Sequence, residues 1–174
     1  MIELNGVTYA TPWCDRILPE MIVYKGEVPY KANDVLSPLA KYTLEGLILS
    51  VISLNYDDNF YAFRLDAFKK VIDCKKSRRA YALLKTLVIN ELCKLTMPID
   101  FEFKEGERVK TCTGGITLLN RFLIISNLKL ITVALNEYIN QYILTVKNLE
   151  EKPLFRDWMH EVLINECTDI SKIP

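Results

Sequence analysis

The chain has 174 residues, 50% of them hydrophobic and 25% charged, with 22 basic against 22 acidic side chains and a formal net charge of zero. That length suits one domain, or one domain with an appendage, and the neutral balance removes any whole-chain argument for a nucleic-acid or membrane surface, leaving local patches only. Cys14, Cys74, Cys93, Cys112 and Cys167 are odd in number and lack CxxC spacing, so neither a disulfide framework nor a zinc module is signalled.

A mean hydropathy of +0.09 with so little net charge leans toward a protein that lives with a partner. The start, Met1-Ile2-Glu3-Leu4, offers no basic n-region or apolar h-region, so an intracellular setting is expected, in the cytoplasm of a host or producing cell or within a virion. The abundance of Ile, Lys, Asn, Tyr and Phe over Ala, Gly and Arg fits an A+T-rich genome, such as that of a phage, a virus or a low-GC bacterium.

In chain order, Ile2 to Tyr9 alternates about an Asn5-Gly6 pair and predicts a hairpin with a type I′ turn. Met21 to Tyr24 and Val28 to Tyr30 around Lys25-Gly26-Glu27 predict a second, weaker one, held to an edge by Pro29. Residues 1–32 therefore read as a β-rich appendage and 33–174 as a helical domain. Ser37-Pro38 marks a helix start running to Leu54, and its half from Gly46 to Leu54 is apolar nearly all round. The loop 55–59 lacks the spacing of a calcium site. Phe60 to Asp73 and Ser77 to Leu95 predict two helices, the second capped by Ser77 and ended by Pro98, followed by a hairpin near 100–111. Pro153 restarts a helix through about Glu166, with Phe155, Trp158 and Val162 on one stripe.

The longest apolar stretch runs from Thr113 to Asn148 and predicts a central helix capped by Thr113, too polar to cross a membrane. Its asparagines disagree in phase: Asn120 and Asn127 share one helical face, and Asn136 and Asn140 lie nearly opposite. A bend or break near Ser126-Asn127 would reconcile them. The fold class expected is mainly α (α+β): about five helices around the 113–148 segment, with small peripheral hairpins.

Chemistry is thinly signalled. His160 is alone, no nucleotide-binding or nucleophile-elbow motif occurs, and Gly114-Gly115 reads as the opening of the central helix. No catalytic, cofactor or metal residues are assigned, and no small-molecule substrate is expected. The sharpest local feature is basic: Lys69, Lys70, Lys75, Lys76, Arg78, Arg79 and Lys85 fall within seventeen residues against Asp73 alone. The first functional expectation is a non-enzymatic structural or assembly subunit, in contact with other protein subunits or with its own copies. Candidate contacts are Ile2, Leu4, Val7 and Tyr9 of the first hairpin, and Lys75, Lys76, Arg78, Arg79 and Lys85. The alternative is a nucleic-acid-binding regulator, since residues 60–111 follow the order of a winged helix-turn-helix; against it, the 77–95 helix is more apolar than a recognition helix.

Overall fold

The computed structural model describes the chain except residues 5, 10–12, 55–59, 67, 68, 70–74, 148–153 and 168–174, and describes backbone alone at 50, 53, 54, 63, 101, 103, 105 and 164–167. The fold is α+β, with nine described strands in three antiparallel sheets. The expectation of a mainly α protein built around a long central helix is thereby overturned.

Both N-terminal hairpins are present. β1 (Ile2–Leu4) pairs with β2 (Val7–Tyr9), with Gly6 at φ +75°, a conformation glycine adopts without steric cost. After α1 (Cys14–Ile17) and a 3-10 turn, β3 (Ile22–Lys25) pairs with β4 (Val28–Lys31). β4 lies at the sheet edge, where Pro29 leaves no ladder bond unmade. Ile2, Cys14, Ile17, Leu18, Met21 and Val23 are all buried in the same hydrophobic cluster as the helices. α1 is pinned from outside: the buried carboxylate of Glu45 accepts the backbone N–H of Cys14 at 2.8 Å.

A short α2 (Ala32–Val35) leads to α3 (Pro38–Leu54). Ser37 caps α3 as its sequence predicts, its Oγ accepting the Ala40 N–H at 3.2 Å. Glu91 in turn accepts the Ser37 backbone N–H at 2.9 Å and its hydroxyl. Leu44, Leu47, Ile48 and Val51 are buried along α3, while Leu49 is 46% exposed.

Phe60 begins a strand, not a helix: β5 (Phe60–Arg64) pairs along its whole length with β9 (Leu130–Leu135). Only Leu65, Asp66 and Lys69 are described between β5 and residue 75, all helical. α4 (Ser77–Thr86) continues through Leu87–Glu91 and a 3-10 turn at Leu92–Lys94. Its first helical residue is Ser77 and its N-cap is Lys76. Pro98 lies within a strand.

Thr113 to Asn148 holds strands, a turn and a helix. Thr113 belongs to β7 (Arg108–Thr117), which pairs with β6 (Leu95–Glu105) from Thr96↔Thr117 to Glu105↔Arg108. The hairpin expected near 100–111 is thus the outer part of a longer one. β8 (Leu119–Ile125) follows after Leu118 and pairs with β9 across a turn at Ser126–Leu128. Among the described residues here, α5 (Glu137–Lys147) is the one α-helix. Its cap is Asn136, whose side-chain oxygen accepts the Tyr138 N–H at 3.0 Å. The phase conflict among the asparagines arises because Asn120, Asn127 and Asn136 sit on a strand, a turn and a cap. α6 (Phe155–Cys167) closes the core, with Tyr142 of α5 edge-on to Phe155 and Trp158.

The sheets are β1-β2, β4-β3-β6-β7 and β5-β9-β8. Leu118 joins the last two: its N–H bonds Leu95 O at 2.9 Å, and its carbonyl accepts the Asn136 N–H at 2.9 Å. Among the described residues, no helix is long and apolar enough to cross a membrane.

Candidate nucleic-acid interface

α4 separates its two kinds of side chain cleanly. Ala80, Leu84, Leu87 and Val88 are buried, while Arg78, Arg79, Ala82, Lys85 and Thr86 are exposed. Most of the apolar residues that make this helix look unlike a recognition helix in sequence face inward, with Leu83 and Ile89 half-buried, and its exposed stripe is small, polar and basic. Lys75 and Lys76, just before it, are exposed too.

The start of α4 is where cations are least favoured, since unsatisfied backbone N–H groups there carry partial positive charge; each lysine or arginine costs some tenths of a kcal/mol. The only described carboxylate between residues 60 and 90 is Asp66. Lys69, half-buried, donates to the Ser77 hydroxyl at 2.9 Å, which ties it to the start of α4.

A second segment meets the helix here. The hydroxyls of Tyr81 on α4 and Ser126 in the β8–β9 turn lie 2.7 Å apart in a hydrogen bond. That turn closes through Lys129, whose backbone is left-handed at φ +51°, ψ +42°. Such a conformation costs a non-glycine residue roughly 1 kcal/mol, and it is held by two bonds. The Lys129 N–H donates to Ser126 O at 3.3 Å and its carbonyl accepts the Leu65 N–H at 3.1 Å. Lys129 is exposed, as is Arg64, the last residue of β5, which pairs with Leu130. Three chain segments therefore bring basic side chains to one end of the molecule.

The expected segment 60–111 divides differently. The hairpin beside the basic end of α4 is β8–β9, whereas β6–β7 leaves from the opposite end, after eighteen helical residues, about 27 Å at ~1.5 Å each. Sequence reasoning found Lys75, Lys76, Arg78, Arg79 and Lys85 as a run, and missed Arg64 and Lys129, which join them through the Tyr81–Ser126 bond and the pairing of β5 with β9. The Lys129-containing turn had one signal, the proposed break near Ser126-Asn127.

The hairpin candidates do not join this site. Ile2 is buried, Leu4 is partly buried, Val7 is 52% exposed, and Tyr9 stacks edge-on against Tyr42 of α3 at 5.1 Å. His160 lines a separate polar cleft of about 410 Å³ between β6–β7 and α6, with Asp100, Glu102, Thr111, Arg156 and Asp157. Among the described residues no three metal-ligating side chains gather in one place. Burial, and then Glu45, drives the Cys14 thiol far above its ordinary range, which makes it a poor nucleophile. No family model matches the chain, and no curated protein matches it in sequence.

Proposed function

We propose that the protein binds duplex nucleic acid through the basic end formed by the start of α4, Arg64 and the turn carrying Lys129. The observation that carries this reading is the convergence of Lys75, Lys76, Arg78 and Arg79 with Lys129 and Arg64, from three separate segments, tied by the Tyr81–Ser126 bond. Charges that cost stability at a helix N-terminus are repaid when a phosphate docks there, because the anion meets both the side chains and the free N–H groups. An exposed helix stripe beside a hairpin turn also matches the general placement of recognition helix and wing in a winged helix-turn-helix, an analogy of arrangement that supports the reading without carrying it.

Fluorescence anisotropy on a labelled duplex across a salt series tests this. Binding should weaken steeply with salt, and replacing Lys75, Lys76, Arg78 and Arg79 together by Ala should reduce the logarithmic salt slope by about 3.6. Wild-type affinity no tighter than about 10⁻⁴ M at physiological salt, or a slope unchanged in the variant, would sink the proposal.

Assembly through protein contacts stays as a second reading, and its support has moved. The apolar helices that suggested it face the core or are strands, but the β6–β7 hairpin exposes every residue of β7 from Arg108 to Gly115.

A further inference from the structure

We propose that β7 is a self-pairing edge, through which two copies of the chain join antiparallel about a two-fold axis at Cys112. This goes beyond nucleic-acid binding and does not depend on it.

β7 lies at the end of its sheet and, among the described residues, is paired on one side only. β3 covers β6 at Leu95 and Thr96 alone, so the rest of the hairpin is a two-stranded ribbon. Long edges with unpaired N–H and C=O groups are templates for strand addition. Which groups point outward follows from Pro98. It has no N–H to give, so its pair with Gly115 is of the non-hydrogen-bonded kind. Alternation then turns the N–H and C=O groups of Gly115, Thr113, Thr111 and Val109 away from β6.

The sequence of β7 selects the partner and the register. With Cys112 on the axis, Thr111 meets Thr113 of the second copy, Val109 meets Gly115, and all four outward residues bond their counterparts. Lys110 then lies over Gly114, and Arg108 opposite Ile116, so no two cations are opposed. Moving the axis to Lys110 would set lysine against lysine, a repulsive pair. Gly114 supplies an independent pointer. Its φ is not positive, and an added Cβ would meet nothing within 4 Å in its own chain. A glycine that weakens a strand without a reason in its own fold marks a place where another backbone comes close. Gly115 differs, because its Cβ would lie 2.8 Å from Thr96 Cγ2.

The register makes a covalent forecast. Cys112 is exposed, and in a non-bonded pair at the axis its Cα would lie roughly 4.5 Å from its counterpart, within disulfide reach. Diamide should convert the dimer to a species linked Cys112 to Cys112. The two thiols give up two electrons and two protons, and diamide is reduced to its hydrazine.

Sedimentation of the intact chain at several hundred micromolar should give twice the 20.1 kDa chain mass, and peptide mapping after diamide should find the Cys112–Cys112 link. Thr111→Pro removes an outward N–H that β6 does not use, and Gly114→Val fills the space over which Lys110 packs. Each should raise the dimer Kd at least tenfold with the circular dichroism spectrum retained. A monomeric wild type, a cross-link elsewhere, or a dimer indifferent to whichever of the two variants stays folded would overturn the proposal.

Discussion

β7 and β9 draw on similar residues, chiefly Thr, Val, Ile and small side chains, and they end in opposite circumstances. β9 is flanked by β5 and β8 and is buried from Ile131 to Leu135; β7 has one neighbour and is exposed from Arg108 to Gly115. Strand-forming residue types thus leave the environment open. In β9 they supply core, since burial on both faces removes the need for alternation. In β7 only Ile116, at its inner end, is buried, and the stretch from Arg108 to Gly115, with its two glycines and the cations Arg108 and Lys110, buries nothing. Stability therefore resides in the β5-β9-β8 sheet and the helices on it, and the ribbon is left for contact.

The largest expected effect sharpens that division directly. Ile131, 2% exposed on β9, lies opposite Phe63 and Ile124 in the sheet. Ile131→Ala should cost about 2–5 kcal/mol by the lost burial and the cavity left behind. Val109→Ala on β7, at 57% exposure, should stay within about 0.5 kcal/mol. Urea denaturation of the two variants side by side measures the difference, and equal losses would mean that the ribbon belongs to the core.

A smaller effect of opposite sign comes from inside β9. The Thr132 hydroxyl is buried and has no hydrogen-bond partner among the described residues. Thr132→Val keeps the shape and removes a stranded polar group, so it should stabilise by about 1 kcal/mol in the same urea assay. A loss instead would show that the hydroxyl has a partner in solution.

The smallest effect lies at Glu20, the last residue of the 3-10 turn after α1. Burial, and then Asp157, hold the Glu20 carboxyl above the usual carboxylate range, with Arg156 opposing. The folded chain then retains a proton that the unfolded chain has released, so this group's contribution falls as pH rises from the unfolded pKa through the folded one. Glu20→Gln should raise Tm slightly at pH 7, with the gain shrinking toward pH 4. A gain independent of pH would assign it to packing.

What the sequence made legible follows from how local each signal is. Asn5-Gly6, Lys25-Gly26-Glu27 and Ser37-Pro38 act within a few residues, and the elements they announce are present. The 113–148 segment failed because a run such as Leu130 to Leu135 is apolar on every face, and periodicity cannot separate a buried central strand from a buried helix. The β-branched residues Ile116, Thr117, Ile131, Thr132 and Val133 leaned toward strand, and the Asn phase conflict argued against one helix. The basic end was half legible for the same reason. Lys75 to Lys85 are neighbours in sequence, but the Lys129 turn reaches them through the Tyr81–Ser126 bond and Arg64 through β9 pairing with β5, the latter a contact over more than sixty positions.

Leu118 is the single residue between β7 and β8, bonded to Leu95 on one side and Asn136 on the other. Side chains of a strand alternate with a period of two, so one residue inserted at that joint would turn β8 inside out, sending Phe122 and Ile124 toward water and Arg121 and Leu123 inward. The turn at Gly106 carries no such constraint, because a longer loop there lengthens only the tip of the ribbon. The joint at Leu118 must keep its length while the far end of the hairpin is free to vary, so two stretches a dozen residues apart stand under opposite tolerances for insertion.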